Sequence, residues 1–248
     1  MAAILCNFSL SRGVPNLSRG IISMKTTNAS GRINATATEV SPASLSSLKT
    51  QLLDAMQSAV AGLDRGLIAN EVDVMAVDTP ARELEASGSI VDFSTDLDKL
   101  QGRWRLVYSS AFASGSLGGL RPGPPTGRLP LTLGQVFQRI DVVRREFDNI
   151  VNLQIGTLWP LPPIEVTATL AHKFELIDSA SIRIIFERTI VQPAGGLSQL
   201  PQVQLPELPE IFRPPSSLRS GEFKVTFLDD DLRITRGDRG ELRVFLKL

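Results

Sequence analysis

From residue 102 to the C-terminus, apolar and polar residues alternate with a period of two, most cleanly between Ile164 and Leu176. There Ile164, Val166, Ala168, Leu170, His172, Phe174 and Leu176 share one face, while Glu165, Thr167, Thr169, Lys173 and Glu175 share the other. The pattern predicts a strand with one buried and one wet side. It recurs in Ile182, Ile184 and Phe186, in Phe223, Val225 and Phe227, and in Leu242, Val244 and Leu246. Adding 102–109, 135–141, 149–155 and 232–236 gives about eight antiparallel strands. Asp178-Ser179-Ala180, Asp229-Asp230-Asp231 and Gly237-Asp238-Arg239-Gly240 supply the turns of a meander. The predicted fold is mainly β, a closed sheet whose interior holds side chains or one small ligand.

Before residue 102 the period is helical. Ser44 can cap a helix whose apolar positions Leu45, Leu48, Leu52, Met56, Ala59 and Leu63 step by three or four, ending near Gly62 or Gly66. A weaker helical stretch runs from Asn70 through Leu84 and Glu85, with Pro80 expected to interrupt or restart it. Two long connections break the strand pattern: 113–130 holds five Gly and four Pro, and 193–220 holds six Pro. Loops of this length inside a compact domain carry function or lack order. Leu205, Leu208, Ile211 and Phe212 make the second apolar enough to pack over a barrel mouth, with a plain surface excursion as the alternative.

Composition divides the chain further. The first acidic residue is Glu39, whereas Arg12, Arg19, Lys25 and Arg32 lie among nine Ser or Thr, the composition of an organellar transit peptide. The predicted organisation is therefore a leader at 1–38, a helical segment at 39–101 and a barrel at 102–248. Loss of the leader removes 4 of 26 basic residues and none of 26 acidic ones, leaving a net charge of about −4. No basic field remains for nucleic acid, and no apolar run reaches the 18 residues of a bilayer span. The only cysteine, Cys6, falls in the leader, and His172 is the only histidine, so disulfide, thiolate and common metal chemistry are not expected. Ser109 and Ser110 sit in no nucleophile elbow, and Asp229-Asp230-Asp231 lacks the spaced oxygens of a calcium loop.

The segments Gly102–Ser109, Gly62–Gly66, Gln135–Asp141 and Leu232–Phe245 resemble the plastid lipid-associated proteins, also called fibrillins, over nearly all of the chain after the leader. Leu117–Pro125 further resembles their thylakoid and plastoglobule subgroup. The resemblance implies a chloroplast protein with a lipocalin-like barrel, associated with thylakoids and plastoglobules. It also implies that the protein binds or moves prenylquinone-like or other isoprenoid lipids such as carotenoids, with no cofactor and no catalytic site.

Within that frame the expected ligand-contacting residues are Tyr108, Phe137, Leu170, His172, Phe174, Phe186, Phe223 and Phe227, assigned inward by alternation. Arg236 continues the Leu232 and Ile234 face inward, where a lone charge would cost several kcal/mol. By resemblance to lipocalin-like barrels, Arg236 is expected to lie over Trp104 and close one barrel end. The alternative to a lipid container is a coat or scaffold protein of plastid lipid droplets and thylakoids with a self-filled interior.

Overall fold

A computed structural model describes residues 42–113, 131–157, 160–205, 220–238 and 240–248. The leader reading and most of the two long loops lie outside these residues.

Helix α1 (Pro42–Leu63) turns back through Asp64, Arg65 and Gly66, all with positive φ. Arg65 is held there by the Asp64 carboxylate (2.8 Å) and the Leu133 carbonyl (2.8 Å). Helix α2 (Glu71–Ser87) begins with a capping box in which the Asn70 side chain accepts from Val72 and Asp73 and the Asp73 side chain accepts from Asn70. Contrary to the sequence expectation, Pro80 does not interrupt α2. Val77, Ala81 and Leu84 are buried around it, and this packing outweighs the one hydrogen bond that Pro80 cannot make.

Nine antiparallel strands follow among the described residues: β1 (Gly102–Ser109), β2 (Leu131–Asp141), β3 (Glu146–Ile155), β4 (Ile164–Leu176), β5 (Ser181–Pro193), β6 (Val203–Gln204), β7 (Ser220–Leu228), β8 (Leu232–Gly237) and β9 (Leu242–Lys247). Eight form a ring in the order β1-β2-β3-β4-β5-β7-β8-β9, with β9 returning to β1, while β6 pairs only with the far half of β5. One end, the base, carries the hairpins β2–β3, β4–β5 and β7–β8. In each an aspartate carboxylate accepts backbone N–H groups: Asp141 from Val143 and Arg144, Asp178 from Ala180 and Ser181, and Asp229 from Asp231 and Leu232. Val91, Phe93, Leu97 and Leu100 pack beneath this end, pinned by Phe93 N–H to Ser179 O (2.7 Å) and Trp104 Nε1 to Leu100 O (2.9 Å).

The apolar residues form two clusters, one on each side of the ring wall. The interior cluster includes Trp104, Leu106, Val136, Ile140, Phe147, Val151, Leu170, Phe174, Ile182, Val225 and Phe245. The second lies outside, where Leu52, Met56, Val77, Ala81 and Leu84 of the helices cover Tyr108, Phe227, Leu232, Ile234, Leu242 and Val244. Strands β8 and β9 are thus buried on both faces.

This second layer overturns the expectation for Arg236. Leu232 and Ile234 face the helices and carry Arg236 to the same side, where it makes a two-pronged pair with Glu85 (3.0 Å and 3.0 Å) and a third bond to Asp78. Burial alone would raise the Asp78 carboxyl, but hydrogen bonds from Arg82 and Arg236 hold it below its ordinary value. The cation over Trp104 is instead Arg233, one residue out of phase, 4.9 Å from that ring and 4.3 Å from Phe245. Arg236→Met should destabilise the fold by about 1–3 kcal/mol, because the partly buried Glu85 carboxylate loses its cation and Asp78 keeps only Arg82. Urea unfolding checks this, and adding Glu85→Gln should restore part of the loss. An unchanged midpoint in Arg236→Met would show the helical layer is held by apolar contact alone.

Candidate ligand site inside the ring

The inner wall was read from alternation, and two bulges displace part of that reading. Between Leu106 and Tyr108 the β1–β9 register shifts, so Trp104 and Leu106 face in while Tyr108 turns out beneath the helices. Burial pushes the Tyr108 phenol up to about 12, aided by the charges of Asp78 and Asp73. A second shift between Val225 and Phe227 sends Phe227 to the helical layer and Leu228 inward. Phe137 is also displaced from the expected set: Val136, Gln138 and Ile140 take the inner face, and Phe137 lies outside under the Arg103 guanidinium, 4.2 Å from its ring centroid.

The other five expected residues are brought together. Leu170 and Phe174 are fully interior, and Phe186 and Phe223 pack against the same core. His172, 3 % exposed, stands edge-on to Phe186 (5.6 Å) and Phe147 (6.4 Å), and Phe147 meets Phe223 at 5.7 Å. These rings and the Trp104–Arg233–Phe245 stack fill the base half of the interior. Leu133, Val136, Val151, Leu153, Val166, Ala168 and Val191 continue an apolar wall toward the opposite end, the mouth.

His172 Nδ1 lies 2.8 Å from Leu170 O and 3.2 Å from Phe147 O, so this nitrogen carries the proton and donates. Burial lowers its pKa below the ordinary 6.5, against the opposing carbonyl bonds and the Asp148 charge. The unfolded chain therefore takes up this proton first as pH falls. Stability should be flat above about pH 6.5 and decline below it, a slope that His172→Gln removes. Thermal unfolding between pH 8 and 5 tests this, and an identical decline in the variant would assign the slope elsewhere.

Sequence reasoning missed a polar stripe on the same wall. Arg233 is fully buried, and its Nη2 donates to Gln138 Oε1, while Gln138 Nε2 donates to Asn149 Oδ1 (3.0 Å). Burial draws the Arg233 pKa down to about 9, which leaves it charged at neutral pH. Thr235 and Arg243 are register partners on β8 and β9, and Ser109 is the partner of Arg243 on β1. Burial lowers the Arg243 pKa, opposed by Glu241 and Asp238. The signal was available in Arg233-x-Thr235 and Arg243-x-Phe245, faces less apolar than their neighbours and so read as outward.

Exposed large apolar side chains occur at both ends: at the mouth Ile68, Val72 and Met75 around the start of α2, Leu161 and Ile164 at the start of β4, and Leu197, Leu200 and Val203 after β5, and at the base Val143 and Ile177 in the hairpin turns. A groove of about 380 Å³ also lies at this end, lined mainly by Thr132, Gly134, Asn152, Gln154, Glu165 and Thr167, polar residues of the outer wall. Among the described residues, no group of three or more His, Cys, Asp or Glu could hold a metal ion, and no helix is long and apolar enough to cross a membrane.

A ring of eight antiparallel strands with a covered base has an interior that either is filled by its own side chains or holds one small ligand. The family described as PAP_fibrillin matches residues 46–246, and the chain belongs to this family. It is 58% identical over 200 residues to "Plastid-lipid-associated protein 6, chloroplastic" of Arabidopsis thaliana, covering 80% of this chain and 69% of that protein. It is 25% identical over 243 residues to "Light-induced protein, chloroplastic" of Solanum tuberosum, covering 83% of this chain and 68% of that one. No solved structure matches the chain.

Proposed function

We propose that this chain is a non-catalytic plastid lipid-binding protein that holds or moves isoprenoid lipids of prenylquinone type at thylakoid and plastoglobule surfaces. The observation that carries this reading is the continuity of the apolar inner wall from the ring's mid-height to a mouth set with exposed apolar side chains. Burying a long hydrocarbon chain along such a wall supplies about 25 cal/mol per Å² of affinity, and the mouth residues suit contact with the lipid phase from which the ligand comes. Names of relatives that carry the words plastid-lipid-associated and chloroplastic support the same compartment.

A coat or scaffold role is the second reading, favoured by the base half of the ring being filled with its own aromatic side chains. The two differ in what a plug does. Ala168 is 1 % exposed on the inner wall, so Ala168→Phe narrows the interior without touching the outer surface. Titration of the full chain with a short-tailed plastoquinone analogue, followed by native mass spectrometry, should give a one-to-one complex that Ala168→Phe weakens at least tenfold. Retained binding to lipid droplets, with no stoichiometric quinone on either protein, would favour the coat.

A further inference from the structure

The polar stripe inside the ring contains donors without acceptors. Arg233 is fully buried, and its Nε and Nη1 have no hydrogen-bond partner. Arg233 can only donate, so Gln138 must turn its carbonyl oxygen to it and its amide to Asn149. The buried polar atoms left without a partner at this end of the network are the Arg233 Nε and Nη1 donors.

Charge points the same way. Along the inner face of β9, Lys247, Phe245 and Arg243 run from base to mouth, with Arg233 opposite Phe245 and Thr235 opposite Arg243 on β8. Arg233 and Arg243 are therefore diagonal neighbours across one strand pair, within reach of a single head group. Ser109, the register partner of Arg243 on β1, is fully buried with an unpartnered hydroxyl. Asp148, Glu165 and Glu222 lie outward, against Arg139, the outer groove and Arg183, while Glu241 and Asp238 at the β8–β9 turn act on Arg243, so the deeper Arg233 is the cation with no carboxylate acting on it. The Lys247 ammonium is already engaged by the Lys99 carbonyl (3.0 Å) and lies 5.2 Å from the Trp104 ring centroid.

We infer that Arg233, Arg243 and Ser109 form an interior oxyanion site, and that the ring takes an amphiphile with a carboxylate head group, oriented head inward and hydrocarbon tail toward the mouth. Two cations and a hydroxyl come from β1, β8 and β9, and a carboxylate offers the acceptor oxygens that Arg233 Nε and Nη1 and the Ser109 hydroxyl lack. This rests on the lipid-binding reading and adds a ligand class to the quinones named there: an acidic lipid, held more tightly than a neutral quinone.

The test uses the full chain and three probes: cis-parinaric acid, its methyl ester, and a neutral short-tailed plastoquinone analogue, with affinity read by fluorescence or by native mass spectrometry. The acid should bind at least tenfold tighter than the ester. Arg243→Gln should abolish that preference while leaving ester affinity within about twofold, and Arg233→Met should do the same if it folds. Arg183→Gln, on the outer wall, should change none of the three. Equal affinity for acid and ester, or a preference that survives Arg243→Gln, overturns the oxyanion site and assigns the free donors to water. Binding of the quinone and ester as tightly as the acid would overturn the inference but keep the lipid container. No binding of any probe would remove both.

Discussion

Trp104→Ala is expected to destabilise the protein by about 3–5 kcal/mol, the range for removing a large buried aromatic side chain. Several terms coincide at this residue. The indole is completely buried at the base of the ring, and its Nε1–H bond to Leu100 O ties the 91–100 segment under the strands. That bond alone is worth about 0.5–1.5 kcal/mol. The ring also supports the buried Arg233 guanidinium at 4.9 Å, a contact worth roughly 0.5–2 kcal/mol once desolvated. Without it, Arg233 keeps Phe245 on one side and faces a void on the other. For a chain of this size the loss corresponds to a fall of roughly 10 °C in Tm. Calorimetry and urea unfolding measure it directly, and a loss under about 1 kcal/mol would show that the base is held by the turns rather than by the stack. Trp104→Phe, which keeps a ring but not the donor, should fall between the two.

Gly66→Ala should cost nearly as much, about 2–5 kcal/mol, from a single added methyl group. Gly66 has a φ of +100°, where side chains with a Cβ are strained by roughly 1–2 kcal/mol. A Cβ there would stand 2.6 Å from Ser109 O and 3.3 Å from the Tyr108 ring, adding an overpacking cost of roughly 1–3 kcal/mol. The strain falls where the α1–α2 turn meets the end of β1, so it should loosen the helical layer from the sheet. Gly196→Ala supplies the comparison, because a Cβ there meets nothing within 4 Å. Equal unfolding midpoints for the two variants would refute the close approach at Gly66.

Much of this architecture was legible in the chain. Alternation located the ring strands, the helical period located α1, and Asp178 and Asp229 marked turns that their carboxylates do hold. What was illegible was sidedness in the C-terminal strands. Alternation says that two faces differ, and the apolar face was taken to be the inner one. That holds for β4, whose outer face carries Glu165, Thr167 and Lys173. It fails for β8 and β9, because the helices bury their outer faces, so the more apolar side, Leu232, Ile234, Leu242 and Val244, points out. The inner side is left with Arg233, Thr235 and Arg243. A helix pair placed against one arc of the ring inverts the meaning of polarity on that arc alone.

The bulges are the second loss. Leu106 and Tyr108 stand two apart and should share a face, but one extra residue on β1 puts them on opposite sides of the sheet. Nothing in Leu106-Val107-Tyr108 announces it. The same holds for Val225 and Phe227.

The ring closes through β1 and β9, and the bond from Leu248 N–H to Arg103 O extends that seam to the beginning of the first strand. Pairings between residues more than a hundred positions apart are slow to find, because the loop between them must be ordered before the contact returns anything. A chain synthesised amino end first therefore holds the β9-facing edge of β1 unpaired until β9 is made. During that interval the Trp104 face and the apolar faces of α1 and α2 lack the strands that cover them, which leaves the unfinished sheet prone to association with other chains.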